Sequence, residues 1–124
     1  MLERIERWVA MLPPQERNQP VISVDGKWLT PIEMLTEVRS NTELGQKAQT
    51  KWETTGLGTD EEMLVERLRN RLSRYPQDTP LFITLSGKLT PRQILAEVDA
   101  RTKLGKDFLE DERRYLNYIG GLKV

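Results

Sequence analysis

Two stretches of the chain carry apolar residues at helical spacing and then stop at proline. They are Leu2, Ile5, Val9 and Leu12 before Pro13, and Leu64, Leu68, Leu72 and Tyr75 before Pro76. Steps of three and four residues place such side chains on one helix face, and proline, which lacks an N–H, ends the helix. A short loop follows in each case. Residues 21–25 (VISVD) and 82–86 (FITLS) then read as β-prone runs closing on turns at Asp25-Gly26 and Ser86-Gly87, where glycine supplies the positive φ a tight turn requires. A small hairpin or a single strand fits either run. Second helices are predicted from Thr30-Pro31 and Thr90-Pro91: the threonine hydroxyl caps an orphan backbone N–H, and the fixed φ of proline suits the first helical position. Their core stripes are Met34, Leu35 and Val38, and Ile94, Leu95 and Val98. Third helices follow from Thr42 and Thr102, with Leu44, Ala48 and Trp52 in one and Leu104, Phe108, Tyr115 and Ile119 in the other. Gly45 and Gly105, just inside them, allow close helix approach.

The same order thus occurs twice, and the letters agree. With Trp28 treated as an insertion, eleven of nineteen paired positions from Gly26/Gly87 to Gly45/Gly105 are identical. Upstream, Glu3-Arg4-Ile5 parallels Glu66-Arg67-Leu68. The expectation is an α+β, mostly helical fold of two tandem helix-strand/turn-helix-helix repeats, residues 1–57 and 58–124. A unit of about 60 residues buries little apolar area alone, so the copies should share one core with pseudo-twofold symmetry in one compact domain. Residues 54–58 (TTGLG) are the expected linker, Thr59 the expected cap of the next helix, and residues 120–124 (GGLKV) an expected mobile tail.

Composition narrows the chemistry. Hydrophobic residues make up 37% and charged residues 31% of 124, a globular balance. Lys plus Arg number 19 and Asp plus Glu 19, so no overall field draws the chain to phosphate backbones or anionic lipid, and neutrality permits self-association. No apolar run approaches the roughly 20 residues that span a bilayer, and the opening MLERIERW carries acids where a signal peptide needs bases; a cytoplasmic protein without membrane insertion is expected. The absence of Cys and His excludes disulfides, thiol nucleophiles, the usual zinc sites and imidazole acid-base work.

Four features invite a functional reading. Residues 56–62 (GLGTDEE) resemble the calcium loop that opens an annexin repeat, with Glu97 near the distance at which that family supplies its acid. The β-prone run from Phe82 to Leu85 lies between them, where annexin repeats are helical, and a capped, acid-rich first turn explains the same letters through the helix dipole. Glu37 and Glu97 occupy equivalent places and could be imagined as a glycosidase-like carboxylate pair. A glutamate flanking an amphipathic stripe needs no function, however, and Glu97 is spaced to pair with Arg101. Arg67, Arg71 and Arg74 form a basic stripe suited to phosphates or to a protein surface. Trp8, Trp28 and Trp52 all lie in the first copy; they fill its core, or an exposed member, Trp28 first, marks an interface.

Repeated architecture, balanced charge, aromatic asymmetry and no catalytic cluster point first to a non-enzymatic protein-interaction module or small subunit without a cofactor. Its partner is another protein or a second copy, and its candidate surface is Trp28, Arg67, Arg71 and Arg74. A nucleic-acid-binding protein using the second and third helices as a helix-turn-helix comes next. Against it stand Glu110, Asp111 and Glu112, where a recognition helix wants bases. A carboxylate-dependent enzyme comes last.

Overall fold

A computed structural model describes residues 2–85 and 87–121. It is mostly helical, with two small antiparallel sheets, in keeping with an α+β fold. The elements run α1 (Leu2–Met11), a short 3-10 helix (Pro14–Asn18), β1 (Ile22–Val24), β2 (Lys27–Leu29), α2 (Pro31–Arg39), α3 (Glu43–Thr54), α4 (Glu61–Leu72), β3 (Phe82–Thr84), β4 (Gly87–Leu89), α5 (Pro91–Asp99) and α6 (Lys103–Ile119). Helix, hairpin, helix, helix therefore occurs twice. Ser86 and residues 122–124, read above as part of a turn and of a tail, lie outside the described residues.

The helix starts are where the threonines place them. Thr30 and Thr90 form full capping boxes: each hydroxyl accepts the N–H of Glu33 or Gln93, whose side chain returns to the threonine N–H. The junctions before α3 and α6 use a second repeated device. The Thr42 hydroxyl donates to the Glu37 carboxylate at 2.5 Å and accepts the Gly45 N–H at 3.0 Å; Thr102, Glu97 and Gly105 repeat the pattern. Asn41 and Arg101, at the same place in the two turns, take positive φ of 52° and 54°. Thr102→Ala, which orphans the Gly105 N–H, is expected to lower stability by about 1 kcal/mol in urea unfolding, and Thr102→Ser by only a few tenths.

Several expectations need correction. Asp60, not Thr59, caps α4: its carboxylate accepts the Met63 N–H. Tyr75 falls beyond α4 and is exposed. On α6 the buried positions are Gly105, Leu109, Glu112, Leu116 and Asn117, so the core stripe lies beside the one expected, and Phe108, Tyr115 and Ile119 are half-buried. Arg101 pairs with Glu61 and Glu62 of α4 rather than with Glu97, because the left-handed turn carries it off the helix that bears Glu97. Trp28 is no insertion. Register pairs Val24 with Lys27 and Thr84 with Gly87, so the strands of both hairpins match without a gap, and Leu29/Leu89, Thr30/Thr90 and Gly45/Gly105 are each 60 residues apart. Gly26 sits in its turn beside Asp25, both at positive φ, as a type I′ turn demands, whereas Gly87 opens a strand. The glycine match that suggested a gap joins two unlike positions.

One contiguous core draws on both halves, from Ile5, Trp8, Val21, Ile22, Leu29, Met34 and Trp52 to Leu57, Met63, Leu68, Ile94, Val98 and Leu116. The connection between the halves is part of it: Leu57 is fully buried, and its backbone N–H and C=O both bond to the Asn117 side chain. Trp8 and Trp52 stack with ring centroids 5.1 Å apart, and the Trp8 indole donates to the Ile119 carbonyl at 2.7 Å, pinning the end of α6 to α1. Both tryptophans are therefore core residues.

Candidate functional site

The two hairpins have the same length and register but opposite fates. Val21, Ile22, Val24 and Leu29 of the first are buried. In the second, Leu81 and Phe82 are exposed, Ile83 is 75% exposed and Leu85 fully so. Ile83 and Leu85 stand at the outward places of Ser23 and Asp25, and for Phe82 residues 60 apart on the helices beneath explain the difference. The first hairpin lies on α3 over Ala48, whose methyl group leaves room for a strand; Lys51 donates to the Ser23 carbonyl and Lys47 reaches the Asp25 carboxylate at 2.7 Å. The corresponding residues of α6 are Phe108, Asp111 and Asp107. Phe108 meets Phe82 edge-on at 5.2 Å between centroids, and an aspartate has no proton to offer a strand carbonyl. Phe82 therefore rests on an aromatic spacer and Ile83 and Leu85 stand in water, while Leu89 is half-buried against the core. Asp107 and Asp111, on the same helix as Phe108, are exposed and form no ion pair with a described residue.

The hairpin nevertheless stays paired. Leu81 N–H donates to the Leu89 carbonyl at 2.8 Å, the Thr84 hydroxyl to the Gly87 carbonyl, and Arg92 ties the preceding loop through Asp78 and the Gln77 carbonyl. The result is a paired hairpin with an exposed apolar surface.

The first arginine of the stripe is not at the surface. Arg67 is 2% exposed, held by Glu16 at 2.7 Å, Glu112 at 3.0 Å and the Pro20 carbonyl at 3.0 Å. Arg71 grips both Glu112 oxygens, at 2.5 and 2.9 Å, under the ring of Tyr115. The expectation of a solvated or protein-facing stripe fails for Arg67 because two glutamates distant in sequence enclose it. Arg71 keeps more than a third of its side chain exposed, and Arg74 is exposed and makes no ion pair with a described residue. With Gln15, Gln19, Tyr75 and Tyr115 it lines a cleft of about 350 Å³ above the network. Burial, together with the nearby Glu16 charge, pushes the Tyr115 phenol above its ordinary pKa.

Trp28 is partly exposed, and its indole N–H donates to Asp60 at 2.8 Å, so the first hairpin is fastened to the cap of α4. Partial burial opposes ionisation of Asp60. Hydrogen bonds from Trp28, the Met63 N–H, Ser23 and the Glu62 N–H outweigh it and hold the carboxyl below its usual pKa. A depressed folded pKa contributes stability above the unfolded value of about 4 that is lost as pH falls through the folded value. Wild type is thus expected to exceed Asp60→Asn in stability at pH 7, with the gap closing in strong acid when urea unfolding is followed against pH. The other acids of the annexin-like loop, Glu61 and Glu62, are paired with Arg101, and the Leu57 carbonyl with Asn117. Glu37 and Glu97 each receive a threonine hydroxyl at a helix junction.

Among the described residues no helix is long and apolar enough to cross a membrane. No protein-family model, curated protein or solved structure matches the chain.

Proposed function

We propose that the chain is a non-enzymatic protein-interaction module whose contact surface is the second hairpin. The observation that carries this reading is the exposure of Phe82, Ile83 and Leu85 on one paired hairpin, at places where the first hairpin carries the buried Ile22, the half-buried Ser23 and the exposed Asp25. Full burial of one such side chain contributes about 1.5–3 kcal/mol, so covering three of them supplies a useful share of a binding free energy. Monomeric proteins rarely hold such a patch in water without a use for it.

The module is, in this reading, two divergent copies of one ancestral unit around one core. Paired helix caps, the Glu-Thr-Gly junctions and the matching hairpin registers support the duplication. A stacked arrangement fits better than a twofold one. A twofold axis would cover both hairpins alike, whereas α4 and the segment before it fasten the first and the second is open.

The test is a photo-crosslinking residue at position 83 of the chain in its native cells, with position 53, exposed on α3, as control. The expected product is an adduct with a polypeptide at 83 and none at 53. No adduct at 83, or adducts to nucleic acid alone, would overturn the reading.

A further inference from the structure

The joint between the first and third helices is built differently in the two halves. On the match of the halves proposed above, with Glu3-Arg4-Ile5 set against Glu66-Arg67-Leu68, Arg4, Trp8 and Met11 answer Arg67, Arg71 and Arg74, and the strand register sets Trp52 against Glu112. The contacts run in parallel: Trp8 and Arg4 lie on the Trp52 ring, and Arg71 and Arg67 bind Glu112. The first half closes this joint with an aromatic stack. Charge is therefore not something the joint requires, and withdrawing ions from water is unfavourable unless each is paired. In the second half the charges do more than close it, because Glu16, Arg67 and Arg71 also line the cleft of about 350 Å³ that opens above them. That volume lies within the roughly 300–1,000 Å³ that holds small organic molecules.

The cleft has more donors than acceptors. The carboxylates of Glu16 and Glu112 are committed to Arg67 and Arg71, two acids against two bases, so Arg74 leaves the site with one uncompensated positive charge. Among the described residues the Gln15 amide and the hydroxyls of Tyr75 and Tyr115 have no hydrogen-bond partner, and Gln19, whose oxygen accepts from Asn70, keeps its amide nitrogen unused. The two phenol rings add flat apolar wall.

We propose that this cleft binds a small organic carboxylate, with its charge paired to Arg74 and its planar body against Tyr75 and Tyr115. A guanidinium matches a carboxylate through two parallel hydrogen bonds. One net charge selects a monoanion: a phosphate monoester carries about −1.5 to −2 and would set surplus negative charge beside Glu16. The ligand touches the 3-10 helix of the first half and α4 and α6 of the second, so it ties the halves together and stabilises the fold as its concentration rises. The site does not depend on the second hairpin.

The probes are benzoate, phenylacetate, phenylpropionate and indoleacetate, titrated at neutral pH into the isotope-labelled chain and followed by NMR, with phenylpropionamide and phenyl phosphate for comparison. At least one carboxylate is expected to give saturable shifts at Gln15, Gln19, Tyr75 and Tyr115, with a Kd of about 0.1–5 mM for ligands of this size. Arg74→Ala, at an exposed position, should weaken binding at least about tenfold, and Arg39→Ala, an exposed arginine of α2, should leave it unchanged. Tyr75→Ala, at a residue 45% exposed, should weaken it about threefold or more. The amide should bind at least about tenfold more weakly than phenylpropionate, and phenyl phosphate more weakly than benzoate. The absence of saturable shifts with all four carboxylates overturns the proposal. So do shifts centred away from the cleft, an Arg74→Ala chain that binds like wild type, an amide that binds as well as its acid, or a phosphate that binds more tightly than the carboxylates.

Discussion

Arg67→Ala is expected to remove about 3–5 kcal/mol of stability, the usual result of stripping the partner from buried charge, and domains of this kind hold only about 5–15 in total. Glu16 and Glu112 would be left buried beside each other, with Arg71 their nearest cation. Urea unfolding should show a large drop in midpoint or a chain unfolded without denaturant. A second variant separates the loss of the arginine from the stranding of its partners. Glu16→Leu, Arg67→Met and Glu112→Leu together remove the charges along with the hydrogen bonds, and Arg71, more than a third exposed, can turn to water. That triple variant is expected within about 1 kcal/mol of wild type or above it, since apolar groups of similar volume often replace a buried ion pair without loss. A triple variant as unstable as Arg67→Ala would show that the network stabilises the fold beyond what apolar packing can, and would overturn this account.

The same network marks the limit of what the chain's letters disclose. Helix starts at Thr30-Pro31 and Thr90-Pro91 were legible because a capping box is closed by residues three apart. The burial of Arg67 was not, because it depends on Glu16 and Glu112, 51 and 45 residues away in sequence, which no periodicity connects. Read alone, arginines at 67, 71 and 74 describe an exposed basic face; only enclosure by acids from the 3-10 turn and α6 changes their meaning. That turn itself was missed, since prolines at 13 and 14 read only as a stop. The candidate surface was hidden for a subtler reason. Residues 21–25 and 82–86 look alike as letters, but the strand register matches 21–25 with 81–85, which puts Ile83 and Leu85 at the outward places of Ser23 and Asp25 and sets Phe82 against Phe108, whose counterpart on α3 is Ala48. Trp28, the first candidate for an exposed tryptophan, is partly exposed, but it occupies a regular strand position opposite Ser23 and is no insertion. Even the substitution of Trp52 by Glu112 becomes intelligible only in space. Trp52 stacks on Trp8 and under Arg4, whereas Glu112 binds Arg71 and Arg67, so an aromatic contact in one half is matched by a charged one in the other.

Glycine 105 offers the sharpest contest between local and tertiary effects. In the interior of an exposed helix, Gly→Ala normally gains about 0.5–1 kcal/mol because alanine loses less backbone freedom on folding. Here the added Cβ would lie 2.1 Å from the Glu97 carbonyl oxygen and 2.5 Å from its carbon, inside any tolerable contact, and at Gly45 it would lie 2.5 Å from the Glu37 oxygen. The obstacle is backbone at the end of α5 or α2, so relief requires moving a helix rather than rotating a side chain. Overpacking of this sort costs about 1–3 kcal/mol or more, enough to reverse the propensity gain. Gly105→Ala is therefore expected to be destabilising by at least 1–2 kcal/mol on this balance, and Gly45→Ala somewhat less in step with its longer contact. The displacement should also loosen the Thr102 bridge, because the crossing helices hold the Glu97 carboxylate over that hydroxyl. Thermal unfolding of the two alanine variants is the check. If either melts above wild type, helix propensity outweighs the crossing, and the repeated Glu-Thr-Gly signature loses its explanation as the joint that sets the distance between the second and third helix of each half.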